Sequence, residues 1–432
     1  MSTALYLLFI LIAVVAGVTL GMTLMKYTKG VEGFDGSTCD GDEKCQPQLN
    51  AVMKLGDDRK NGRRDIMDML RNTTDMPSEQ QCLVNFYALG ARFVGYLGPF
   101  EGGFYDYKNA TLAALKMGCR VMVLEIDYWD VPGTCGSYFP RIAVRDKAGR
   151  NVGNSSPTCD SLPSKKDFPT TSSIMDICTV LSQNAFGNAS PAPDDPLIVV
   201  LYLLRLPPAN APGDNSVQLT YMSNIAACLA PLLPMAVQSN ANGGKFSRQE
   251  QPGILLTNNI QDYSRQVLFF CNQDTSAFRG AGITAALDLD YIVNLQLTYK
   301  IAGLGTTSPA PSNGTVWGVL DTVESYNQIP PNQLTPIQAT TNGCWTLCMS
   351  QDPSVPVPNK ICDTIRDNIG VHCVPINIWD VAYNYMFDKN HFKVHSFRPK
   401  PRPLRYIKPP KAEPATQAPQ ADAKGGSLQQ PV

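Results

Sequence analysis

Glu125 and Asp127 are the residues whose types and spacing most directly suggest chemistry. They lie in the run Gly118-Cys119-Arg120-Val121-Met122-Val123-Leu124-Glu125-Ile126-Asp127-Tyr128-Trp129-Asp130, which reads as a buried strand with a polar end. Side chains two apart on a strand share a face, so both carboxylates can point to one place and hold a hard cation such as Ca²⁺. Asp130 and Arg205 are further pocket candidates at the ends of this strand and of the next apolar run. The group that acid and base chemistry near neutral pH uses most often is missing here, because the first histidine is His372. His372 begins a strand, while His391 and His395 lie in a basic, proline-bearing stretch, and packing or surface roles are expected for all three.

Thirteen cysteines raise a second question, of disulfides or metal. Cys39 with Cys45 and Cys344 with Cys348 are the close pairs, and both are disulfide candidates. Cys344 and Cys348 could also offer two thiolates to a metal, with Cys362, His372 and Cys373 downstream, but zinc sites space their ligands more tightly. A disulfide or core packing is the expectation. The sequons at Asn72, Asn109, Asn154, Asn188 and Asn313 are candidate glycosylation sites.

The elements that must position these residues belong to a chain of 432 residues with net charge −1. That length allows one large domain with a sizeable core, and the charge argues against nucleic acid as a partner. Ala4 to Met25 is uncharged and almost wholly apolar, a run of the roughly 20 residues that cross a bilayer. The expected organisation is a transmembrane anchor over 1–30, a stalk over 31–80, a folded body over 81–410 and a disordered Pro/Ala/Gln-rich tail over 411–432. Lys26 and Lys29 favour a cytoplasmic body, whereas the cysteines and sequons favour an exterior or lumenal one. The second placement is preferred. The basic residues Lys389, Lys393, Arg398, Lys400, Arg402, Arg405 and Lys408 could face an anionic lipid or an acidic protein partner.

Within the body, strands are expected at Arg92 to Leu97, Arg120 to Tyr128, Pro140 to Val144 and Leu197 to Leu204. Others are expected at Gly253 to Thr257, Gln266 to Cys271, Ile292 to Thr298, Trp317 to Val323 and Val371 to Ile378. Helices are expected at Tyr105 to Met117 and Ser172 to Leu181. Pro-, Asn- and Ser-rich stretches such as Ala189 to Asp195 and Asn327 to Thr341 read as surface loops. Alternating strands and helices imply parallel pairing through right-handed crossovers, with enough strands for a closed α/β barrel of the TIM type.

Tyr107, Ala114-Leu115-Lys116, Gly118-Cys119-Arg120 and the Glu125-x-Asp127 pair together resemble the X region of phosphoinositide-specific phospholipase C. Ser173 to Ile177, Asn184-Ala185-Phe186 and Pro196 to Leu201 are similar to that family's next helix and strand. Gly370 to Asn377, Phe392 and Tyr406-Ile407-Lys408-Pro409 are similar to its closing strand and terminal motif, so the likeness spans Phe86 to Pro409. The resemblance implies a phospholipase C-like barrel and makes Glu125 and Asp127 metal ligands by ancestry. It also implies a first catalytic histidine near Phe93 to Pro99 and a second between Val131 and Asp167, yet neither stretch holds one. A third metal-binding carboxylate, expected at the end of Leu197 to Leu204, is replaced by apolar residues and Arg205. Each lost acid or base is worth about 10²- to 10⁴-fold in rate. The expectation is a membrane-anchored pseudoenzyme with no catalytic residue and no cofactor, with Ca²⁺ only if the site still functions. Its expected role is structural or binding, in a membrane or an enveloped virion. The alternatives are a phosphoric diester hydrolase using non-histidine acids or bases, and a receptor for a lipid headgroup or glycan.

Overall fold

The computed structural model describes residues 45–408 except 61–62, 73–75, 129–137, 153–171, 210, 238–251, 277–286, 300–315, 356 and 380–391. Its centre is a sheet of eight parallel strands in chain order: β1 (Gly90–Arg92), β2 (Val121–Tyr128), β3 (Leu197–Leu203), β4 (Val267–Cys271), β5 (Leu295–Tyr299), β6 (Gly318–Thr322), β7 (Trp345–Met349) and β8 (Ile376–Asn377). β8 returns beside β1, with Ile376 opposite Ala91 and Asn377 opposite Arg92. The curl is joined on its other side just before β8, where Cys348 N donates to Cys373 O at 2.9 Å and Cys373 N donates to Thr346 O at 3.1 Å. The result is a curled, parallel, barrel-like sheet.

The alternation of β2 explains why one strand can serve both a core and a site. Val121 and Val123 face the space enclosed by the sheet, among Ile198, Val200, Leu268 and Phe270. Glu125 and Asp127 continue that face toward the C-terminal ends of the strands. Met122, Leu124 and Ile126 point outward, against α3 (Tyr107–Lys116) and α4 (Ser173–Asn184) through Ala113, Ala114, Ile177 and Leu181. All eight residues of β2 are therefore buried. Burying a Val, Leu or Ile side chain contributes about 1.5–3 kcal/mol each, so the carboxylates are carried on a rigid support. Asp106 caps α3 by accepting from Asn109 N at 2.9 Å.

Four elements differ from the sequence expectation. The segment read as a stalk supplies α1 (Cys45–Lys60) and α2 (Ile66–Asn72), and its Leu49, Val52, Ile66, Met67 and Leu70 are buried in the body's core. Gly253 to Thr257, expected as a strand, is part of a short helix, Pro252–Thr257. A short apolar run does not distinguish the two by periodicity. The third is β7, which no strand expectation covered. The fourth is Asn327 to Thr341, read as a loop, part of which lies in the helix Leu334–Gly343. Among the described residues no helix is long and apolar enough to cross a membrane. The expected anchor and C-terminal tail lie outside the described residues.

Candidate functional site

At the C-terminal ends of the strands, Glu125 and Asp127 lie side by side and both meet guanidinium groups. Arg92, the last residue of β1, donates through Nε to Glu125 Oε1 at 2.6 Å and through Nη1 to Ser350 O at 3.0 Å, just past β7. Its guanidinium also lies 4.6 Å from the Phe93 ring centroid. Asp127 is wholly buried and pairs with two arginines: Arg205 Nε at 2.7 Å on Oδ1, and Arg145 on Oδ2. Arg205 is held by a second bond to Tyr128 O at 3.1 Å and by the Tyr128 ring, 4.0 Å away.

A fourth arginine arrives through a local hairpin. The strand Pro140–Ile142 runs antiparallel to the end of β2 and sets Arg141 opposite Asp127. Arg141 donates to Asn151 Oδ1 at 3.1 Å. Burial holds its pKa below the ordinary arginine value, with Asp127 opposing that effect. Burial likewise raises the Glu125 carboxyl above its usual range, against the pull of Arg92. Of these four arginines, the sequence singled out only Arg205. Arg92 and Arg141 stood at the ends of expected strands, and their position beside the Glu-x-Asp strand is the signal that could have found them.

The residues present do not fit a Ca²⁺ ion. Calcium takes six to eight oxygens, whereas here each carboxylate is engaged by guanidinium and Arg205 stands where a third carboxylate was expected. Among the described residues no group of three or more His, Cys, Asp or Glu gathers to hold a metal. Where the resemblance placed a first histidine, Phe93 has a left-handed backbone (φ 53°) and its ring stacks on Trp379 at 6.2 Å. Tyr96 meets the same indole edge-on at 5.5 Å. An apolar cavity of about 350 Å³ lies beside this cluster, lined by Val52, Leu55, Leu97, Pro99, Ile378 and Trp379.

His372 is far from this chemistry in function. It is wholly buried, accepts from Thr346 N on Nδ1 at 3.0 Å and reaches Val84 O through Nε2 at 2.7 Å, which fixes the neutral tautomer with the proton on Nε2. Burial holds its pKa well below the ordinary histidine value. His395 contacts Arg64 O through Nδ1 at 3.0 Å, and His391 lies outside the described residues.

The remaining candidates divide clearly. Neither Cys344 nor Cys348 is in a disulfide, which corrects that half of the expectation, and Cys348 is packed in the core. Four residues apart on an extended strand, their Cα atoms are separated by about 13 Å at 3.3 Å per residue, beyond the reach of a disulfide. Cys45 is disulfide-bonded, while Cys39 lies outside the described residues. Asp130, Asn154 and Asn313 also lie outside them, as does the side chain of Asn72. Asn188 is exposed in a turn, whereas the Asn109 amide donates to Asp106 Oδ2 at 3.0 Å within the cap of α3. The C-terminal basic stretch is partly consumed by structure: Lys400 is wholly buried, Arg398 faces Asp367 at 3.5 Å, and Arg405 donates to Lys400 O at 2.7 Å.

No family model matches the chain, and no curated protein matches it. Solved structures do. PLC21 of L. pealei is 15% identical with a TM-score of 0.49, over 76% of this chain and 38% of its own length. A calcium-dependent phosphoinositol-specific phospholipase C from Pseudomonas sp. is 11% identical with a TM-score of 0.41, over 74% of this chain and 96% of its own. A Ca²⁺-dependent phosphatidylinositol-specific phospholipase C from Streptomyces antibioticus is 11% identical with a TM-score of 0.40, over 70% of this chain and 96% of its own. The chain thus spans less than two-fifths of the L. pealei protein. At these identities and TM-scores the likeness says nothing of Glu125 or Asp127.

Proposed function

We propose that this protein is a phospholipase C-like barrel that no longer turns over substrate and acts by binding or scaffolding, tethered to a membrane by residues 4–25. The observation that carries the reading is the occupation of both candidate metal ligands by arginine, Arg92 on Glu125 at 2.6 Å and Arg205 on Asp127 at 2.7 Å. A carboxylate held this way is neither free to ligate a cation nor to take a proton from an attacking hydroxyl. A role within a cellular or viral membrane is the setting this reading implies.

A receptor for an anionic headgroup is the second reading. It is favoured by four guanidinium groups (Arg92, Arg141, Arg145, Arg205) around two carboxylates at one end of the barrel. The test is hydrolysis of phosphatidylinositol and glycerophosphodiesters by the full chain with and without Ca²⁺. No turnover is expected. Metal-dependent turnover abolished by Glu125→Ala would overturn the proposal, and retention on anionic vesicles without turnover would favour the receptor reading.

A further inference from the structure

At the opposite end of the barrel, two aspartates exchange backbone hydrogen bonds across 129 residues of sequence. Ile66 N donates to Asp195 Oδ1 at 2.8 Å, and Asp194 N donates to Asp65 Oδ1 at 2.8 Å. The same short segment is gripped from its other side, where Arg64 N donates to Val394 O at 2.9 Å and Arg63 Nη2 donates to Phe392 O at 2.8 Å. Gly118, with φ +84°, gives the Arg63 guanidinium its room, since a Cβ there would overlap Nη1.

Asp195 is wholly buried, and its Oδ2 has no hydrogen-bond partner. The charged and titratable groups around it come from three directions. Asp65 and Arg63 precede α2, Cys119 and Arg120 lead into β2, and Asp194 in its own loop pairs with Arg265 at 3.2 Å, just before β4. Arg120 is the nearby cation, but its hydrogen bonds go to Ala185 O at 3.0 Å and Ser190 Oγ at 2.6 Å rather than to Asp195. A carboxylate here would therefore keep Oδ2 desolvated, against the support that the Ile66 and Met67 amides give the charge.

We propose that this cluster is a proton-operated clasp: with Asp195 protonated, residues 63–72 lie closed on the floor of the barrel, and ionisation of Asp195 opens them. Burial raises Asp195 to about 8, with Asp65 reinforcing the shift and Arg120 opposing it. A carboxyl raised on closing adds stability that is complete below its ordinary value of 3.8 and is lost as pH rises through about 8. The equilibrium constant for opening should thus rise about tenfold per pH unit between those values and level off above them. Burial also raises Asp65, with the neighbouring Asp194 charge adding to the shift, so the two reciprocal carboxyls favour closure at the same end of the scale.

Hydrogen exchange on the full chain tests this directly, read at the Ile66 and Met67 amides from pH 5 to pH 9 and corrected for intrinsic exchange. The expected result is a protection factor that falls about tenfold per unit up to about pH 8 and then flattens, while the β2 and β3 amides keep theirs. Asp195→Asn, which retains an acceptor for Ile66 N, should make the protection independent of pH. Protection at Ile66 that stays constant with pH in the wild type would overturn the clasp. So would a decline shared equally by β2 and β3, or one unchanged in Asp195→Asn.

Discussion

At the mouth of the barrel Asp127 meets Arg205 at 2.7 Å and Arg145 on its other oxygen, and Glu125 meets Arg92 at 2.6 Å, so buried charges are held by direct partners. At the floor, His372 and Lys400 are wholly buried with no acid in ion-pair contact among the described residues. Lys400 donates to Thr341 O at 2.8 Å and sits over the Tyr87 ring at 6.0 Å. Burial depresses both groups well below their ordinary values, while it raises Asp195. One end pairs its buried charges directly; at the other, burial works against the ionisation of Asp195, His372 and Lys400. Removing one partner should therefore be costly at the mouth, whereas changing the pH should be costly at the floor.

The largest effect is expected from Asp127→Ala, which leaves Arg205, Arg145 and Arg141 facing one another without their counter-ion. A loss of about 3–5 kcal/mol is expected, measured as a lower urea midpoint at unchanged slope. A loss below about 1 kcal/mol would mean that the mouth is solvated and that the contrast between the two ends fails.

The next effect belongs to His372. A histidine depressed on folding contributes stability above its unfolded value and loses it as pH falls below that value. The advantage of wild type over His372→Gln should shrink by about 1.4 kcal/mol per pH unit below about 6.5. The subtraction matters because Asp195 pulls the wild-type curve the other way. A difference that is flat between pH 7 and pH 5 would place the histidine in water.

The smallest effect is expected from Cys344→Ser. Its thiol is in no disulfide, is half-buried and donates to Val316 O at 3.3 Å. Stability should stay within about 0.5 kcal/mol, under reducing and non-reducing conditions alike. A shift that appears only without reductant would restore the disulfide excluded by strand geometry.

Much of the barrel was legible because its strands are long apolar runs. Arg120 to Tyr128 was read within one residue of β2, and Tyr105 to Met117 encloses α3. β7 was hidden by its own chemistry: cysteines four apart drew attention to sulfur, although Trp345, Leu347 and Met349 form the alternation of a buried strand. α1 was hidden by composition, since only one narrow stripe of a polar helix needs to be apolar when it packs on an existing surface. The stretch Ala189 to Asp195 read as a surface loop, yet Ser190 and Asp195 in it are buried. The candidate carboxylates were singled out by their spacing together with the resemblance of the surrounding run. Of their arginine partners only Arg205 was singled out, because Arg92 and Arg145 reach the carboxylates from separate parts of the chain.

The central claim is that guanidinium groups hold both mouth carboxylates and leave no place for a cation. Calorimetric titration of the full chain with Ca²⁺ up to millimolar concentrations addresses it most directly. The expected result is no saturable heat in the wild type and no change in Glu125→Ala. Saturable binding in the wild type that Glu125→Ala removes would contradict the claim.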